Sequence, residues 1–144
     1  MSQSHISPYF LNLKNIFCDN SNQCAYIKHF TYNEILYKQG DAPFNLYIFL
    51  SGRLQLLKEK KETMDCVAGE FIGAQANFAN ICYLETVKFF SPGEVFVIPF
   101  ASFNAKMEEY PSLRKDIIEC LTRKQKIVTN ILDEKFSTYL KLAV

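Results

Sequence analysis

Residues 46–50, Leu46-Tyr47-Ile48-Phe49-Leu50, are apolar at every position. Successive side chains of a strand point to opposite faces, so a strand of this composition needs cover on both sides. Working outward, Ser51-Gly52 closes the run. Between Tyr26 and Pro99 further short runs rich in Ile, Leu, Phe, Tyr and Val recur between glycines and prolines, and no helical stripe there lasts beyond two turns. The pattern predicts strands over 26–31, 34–38, 46–51, 53–58, 63–68, 84–90 and 95–98. An opposed sheet inside and helices outside would give the 46–50 strand its two covers, so a mainly β sandwich or roll is expected.

On either side of this zone the period changes to that of a helix. Tyr9, Phe10, Leu13, Ile16 and Phe17 fit one face of a short N-terminal helix, followed by a turn-like Asp19-Asn20-Ser21-Asn22. Pro111 and Ser112 open a second helix, in which Leu113, Ile117, Cys120, Leu121, Lys124, Ile127, Val128, Ile131 and Leu132 recur at three and four residues. Carried to Phe136 at roughly 1.5 Å per residue, it would be about 37 Å long, more than a small roll can cover. The remainder calls for a second copy of the same helix. The expected division is 1–25 for the helix and loop, 26–111 for the β-roll and 112–136 for a dimerisation helix.

The composition excludes several classes. The chain has 144 residues, 49% of them apolar, with 13 Phe and 8 Tyr, which suits one folded domain and not disorder. A formal charge of +1 gives no global field for nucleic acid or membrane. Its apolar runs fall far short of the roughly 20 residues of a membrane span. Five scattered cysteines and the lack of a secretory signal pattern lead to the expectation of a reduced, cytoplasmic protein. There is no nucleophile with base and orienter, no phosphate-cradling glycine loop ahead of a helix and no carboxylate pair set for catalysis, so an enzyme is not expected. Arg123-Lys124-Gln125-Lys126 shares its helix with Asp116, Glu119, Asp133 and Glu134 and reads as a solvated face.

Three motifs in order, Glu34-Ile35-Leu36-Tyr37-Lys38-Gln39-Gly40-Asp41, then the 46–52 run, then Gly69-Glu70-Phe71-Ile72-Gly73, resemble the effector domain of the Crp/Fnr transcription regulators and the wider cyclic-nucleotide-binding β-roll. Glu85-Thr86-Val87, Val97-Ile98-Pro99-Phe100 and Tyr110-Pro111-Ser112-Leu113 extend the likeness over residues 26–136. The resemblance implies a jelly-roll (double-stranded β-helix) with a short N-terminal helix and a long C-terminal dimerisation helix. It also makes 137–144 look like the start of a DNA-binding segment, with DNA met only through a C-terminal domain absent from this chain.

Departures from the family's pattern bear on the ligand. Where cyclic-nucleotide-binding members carry a Glu for the ribose and an Arg for the phosphate, the aligned positions here are Ala74 and Tyr83. A phenol offers neither the charge nor the fork of an arginine, so cyclic AMP or GMP is not expected. The iron–sulfur branch needs a full set of cysteine thiolates, but only Cys18 and Cys24 pair near the N-terminus and Phe96 stands where another would be expected. A redox role for that pair stays open. His5 and His29 are the only histidines, which leaves haem and cupin-type metals without support. No cofactor or metal is expected.

The expected function is therefore an effector-sensing and dimerising domain of a Crp/Fnr-like regulator, answering to an unidentified small molecule or redox signal. The alternative is a stand-alone roll binding a small molecule or partner protein. Gly73, Ala74, Gln75, Tyr83 and Leu84 are the candidate pocket. Ile117, Cys120, Lys124, Ile127 and Ile131, in four-three spacing, are the candidate homodimer seam, with Leu121, Val128 and Leu132 turned toward the roll.

Overall fold

The structure, a computed structural model, describes residues 8–19, 22–57 and 61–123. In chain order it runs α1 (Pro8–Phe17), β1 (Cys18–Asp19), β2 (Asn22–Gln23), β3 (Tyr26–Phe30), β4 (Ile35–Tyr37), β5 (Asn45–Ser51), β6 (Leu54–Leu57), β7 (Lys61–Met64), β8 (Phe71–Ile72), α2 (Ala74–Ala79), β9 (Thr86–Phe89), β10 (Gly93–Pro99), α3 (Phe100–Met107) and α4 (Pro111–Arg123). Beside the small β1–β2 pair, the strands form two four-stranded sheets, β3-β10-β5-β8 and β4-β9-β6-β7. All pairings are antiparallel. This is the mainly β jelly-roll expected from the sequence.

Alternation along β5 and β10 divides the core in two. Phe49, Val95 and Val97 point between the sheets, where they meet Phe30, Leu36, Leu54, Ile72, Val87 and Phe89. Leu46, Ile48, Phe96 and Ile98 point outward, into a second cluster formed with Phe10, Leu13 and Phe17 of α1, Phe78 of α2, Phe103 and Met107 of α3, and Ile117, Ile118 and Leu121 of α4. The two-sided cover that residues 46–50 demand is thus supplied by a facing sheet and a helical layer. Aromatic pairs fix the geometry on each side. Phe30 stacks on Phe89 at 4.6 Å within the roll, and Phe10 meets Phe96 edge-on at 5.4 Å beneath the helices.

Every predicted strand segment holds or overlaps a strand, the 63–68 segment forming two residues early, at Lys61–Met64. Three features differ from the sequence reading. Cys18–Asp19 and Asn22–Gln23 pair as two short strands, β1 and β2. Phe71–Ile72 pairs with β5 as a strand. The β pattern gives way at Pro99 to α3, whose apolar Phe100, Phe103 and Met107 span only two turns, too short a stripe to stand out from its strand-rich surroundings.

Ile117 also needs correction as a seam residue. It is fully buried within this chain's helical-side core, beside Ile118 and Leu121, and so is not free to face a partner. Cys120 is half-buried. Lys124, Ile127 and Ile131, with the remainder of the long-helix reading, lie outside the described residues.

Candidate functional site

The mouth of the roll is built on two glycine corners. Gly40 takes φ 91° and Gly73 φ 70°, conformations that cost an L side chain strain. Gly40 turns the chain out of β4. Gly73 ends β8 and leads into α2, which closes at Asn80 in the same left-handed region, with the Asn80 N–H returned to the carbonyls of Ala76 and Asn77. Asn77 ties α2 down: its side-chain amide donates to the carbonyls of Pro43 (3.0 Å) and Asn45 (3.1 Å) in the chain leading into β5.

Between these corners lies a row of tyrosines. The hydroxyl end of Tyr37 rests on Gly73, where even a β-carbon would come within 2.6 Å of the phenol oxygen. The Tyr83 ring lies on Tyr37 at 3.7 Å, nearly parallel at 11°. Tyr47 continues the row at 6.1 Å from Tyr37. Tyr83 is 5% exposed. Its backbone is held at both polar groups, the Gly40 N–H donating to the Tyr83 carbonyl (2.8 Å) and the Tyr83 N–H to the Asp41 carbonyl (3.0 Å). Its hydroxyl makes only a 3.5 Å contact to the Asn45 carbonyl, at the far limit of a hydrogen bond.

Electrostatics here favour neutral groups. Burial raises the Tyr37, Tyr47 and Tyr83 phenols above their ordinary value of 10.0, and the Asp41 carboxylate adds to the rise at Tyr47 and Tyr83. Cys66 lies against the same interior, and burial pushes its thiol up to about 11, with the Glu70 and Asp65 carboxylates contributing. A phosphate is poorly served in such surroundings, since neutral phenols supply no counter-charge and Asp41 repels it.

The sequence-predicted pocket residues are only partly brought together. Gly73 and Tyr83 both contact Tyr37. Ala74, 1% exposed, instead belongs to the helical-side core. Gln75 is half-buried on α2, and Leu84, 49% exposed, points to solvent. The sequence reading missed Tyr37 and Tyr47; strand alternation carries a signal only for Tyr47, which faces away from Leu46 of the helical-side core. The five cysteines form no disulfide, and Cys18 donates to the Ala25 carbonyl at 3.6 Å. Among the described residues no cluster of His, Cys, Asp and Glu has the makings of a metal site. His29 sits on exposed β3 and pairs with Glu94 at 2.9 Å.

Residues 27–110, more than half of the chain, match the cyclic nucleotide-binding domain family. The chain belongs to that family. A search of curated proteins by sequence found no significant match. Among solved structures, this cyclic nucleotide-binding domain is similar to the catabolite activator protein of Thermus thermophilus (TM-score 0.64, 16% identity, covering 85% of this chain and 56% of that one). It is also similar to the sensor domain of the transcriptional regulator DNR from Pseudomonas aeruginosa (0.59, 16%, 85% and 80%). The N-terminal domain of a transcriptional regulator from Streptomyces coelicolor A3(2) is a third (0.61, 10%, 83% and 81%). At these identities the likeness is one of fold, and the chain spans little more than half the length of the Thermus protein. Family membership is that of a binding domain. No described helix is long and apolar enough to cross a membrane.

Proposed function

We propose that this domain is the effector-sensing and dimerisation part of a Crp/Fnr-like bacterial transcription regulator that responds to a signal other than a cyclic nucleotide. The observation that carries the reading is the Tyr83 ring stacked on Tyr37, at the position where the family resemblance calls for the phosphate-binding arginine. With a phenol there and Ala74 at the ribose position, the anion has no cation and the ribose no carboxylate. The resemblance to transcription regulators supports an allosteric role: an effector in the roll alters how two C-terminal helices meet, and with them the spacing of DNA-reading domains beyond, at a coupling of about 1–3 kcal/mol. Calorimetric titration with cyclic AMP is expected to show no binding. A micromolar dissociation constant, about 8 kcal/mol, would overturn the reading.

The dimer part rests on the spacing of Cys120, Lys124, Ile127 and Ile131, which follows a coiled-coil seam. Replacing Ile127 and Ile131 together by Glu sets like charges across that seam and is expected to turn a homodimer into a folded monomer by light scattering. A monomeric wild-type chain, or a double variant that stays dimeric, removes the helix from this role.

A further inference from the structure

We propose that Tyr83 is the chain's own occupant of the effector position, a side-chain plug that a planar aromatic ligand of neutral or positive charge displaces from the face of Tyr37. The proposal rests on the reading of the roll as an effector domain and deepens it by naming the class of ligand.

Tyr83 is placed as a ligand would be. It comes from the irregular stretch between α2 and β9, where its neighbours Cys82 and Leu84 are exposed while its own ring is buried. The ring is stacked on Tyr37 at 3.7 Å. Its hydroxyl adds only the 3.5 Å contact to the Asn45 carbonyl. The two backbone hydrogen bonds to Gly40 and Asp41 hold the Tyr83 main chain in place, so the ring leaves by rotation about its own side-chain bonds without unravelling the mouth.

What the ring vacates defines what enters. One wall is the flat face of Tyr37, held from below because Gly73 leaves room for its hydroxyl end. Such a wall takes a planar ring in an offset stack. The Asn45 carbonyl, reached by the Tyr83 hydroxyl, is an acceptor for an O–H or N–H on that ring. The Asp41 carboxylate acts on both Tyr83 and Tyr47 and selects against an anion. A phenol, an indole or an aromatic amine fits this description, and a nucleotide phosphate does not. Exchange of one aromatic ring for another also gives a switch, because the displaced Tyr83 ring moves toward the surface already marked by Leu84.

The probe is p-cresol, the tyrosine side chain as a free molecule. By NMR titration, Tyr83→Ala is expected to bind it at least about tenfold more tightly than the wild type, since the slot no longer has to be vacated. Tyr83→Ala combined with Tyr37→Ala is expected to lose that gain. In wild-type protein labelled with 3-fluorotyrosine, the signal assigned to Tyr83 by its absence from Tyr83→Phe is expected to shift as p-cresol is added. Equal affinity in wild type and Tyr83→Ala, or a Tyr83 signal unmoved up to the solubility limit of p-cresol, overturns the plug. The fluorine measurement uses the wild-type chain and decides the matter if Tyr83→Ala does not fold. Cyclic AMP titrated alongside separates the two levels: its binding to wild type overturns the reading of the domain, whereas the p-cresol results judge the plug alone.

Discussion

Raising the pH from about 9 to about 12 is expected to unfold this domain, with loss of its far-ultraviolet circular dichroism in one transition. The cause is the row of buried acids at the mouth of the roll. The Tyr37 and Tyr83 phenols are raised above 10.0 in the fold, burial being the largest cause at each, and the Cys66 thiol moves from 9.0 to about 11. In the unfolded chain these groups release protons at their ordinary values, while in the fold they keep them. The unfolded state therefore binds fewer protons as pH rises, and stability falls with pH. No stability is lost below the unfolded values. Above about pH 10 each phenol that stays neutral in the fold costs up to roughly 1.4 kcal/mol per pH unit. Two phenols together approach 3 kcal/mol per unit, a large fraction of a typical stability of about 5–15 kcal/mol. Tyr37→Phe, with nothing to ionise at that position, is expected to move the transition to higher pH. A midpoint unchanged by that substitution would assign the alkaline loss to other groups.

Gly93→Ala is expected to destabilise the domain by about 3 kcal/mol or more, lowering the melting temperature by about 10 °C. Gly93 begins β10, pairing with Phe30 of β3, and β10 shifts register against β5 just after it, between Glu94 and Val95. A β-carbon there would overlap the Ser51 carbonyl oxygen, come within 2.8 Å of the Gly52 Cα and lie 2.6 Å from Phe89 Cε2. None of these can yield easily. Two belong to backbone, and the Phe89 ring is fully buried and stacked on Phe30. Gly40→Ala is the useful contrast: its φ of 91° is unfavourable for a side chain, but a β-carbon meets nothing within 4 Å. Only strain remains, about 1–2 kcal/mol. Comparable melting temperatures for the two variants would show that the close approach at Gly93 can relax.

The candidate site was less legible than the sheets. Sequence alignment through Gly69–Gly73 and Thr86-Val87 singled out Ala74 and Tyr83 and the loss of both charged anchors. It put the two in one pocket, whereas α2 carries Ala74 into the helical-side core and leaves Tyr83 within the roll. Tyr37 and Tyr47 escaped notice because each reads locally as an ordinary strand aromatic. Their convergence depends on strands of different sheets, β4 in one and β5 in the other. Similarly, Ile117 fits the four-three spacing of a helix seam, but which side of the stripe meets the roll is set by how α4 packs on α3 and the β3-β10-β5-β8 sheet.

The sequence by itself determined that short strands recur between residues 26 and 99, that 46–50 must be covered on both faces, and that the pattern turns helical from Pro111. These are consequences of local periodicity, which depends only on where neighbouring side chains of one segment point. It also determined that no arginine stands at the aligned phosphate position, a matter of residue identity. The tertiary structure alone decided that Tyr83 stacks on Tyr37, that Gly73 makes room for the Tyr37 hydroxyl, and that Ile117 turns inward. Each joins residues from separate elements, and such contacts follow from sheet register and helix docking, which no single segment's pattern encodes.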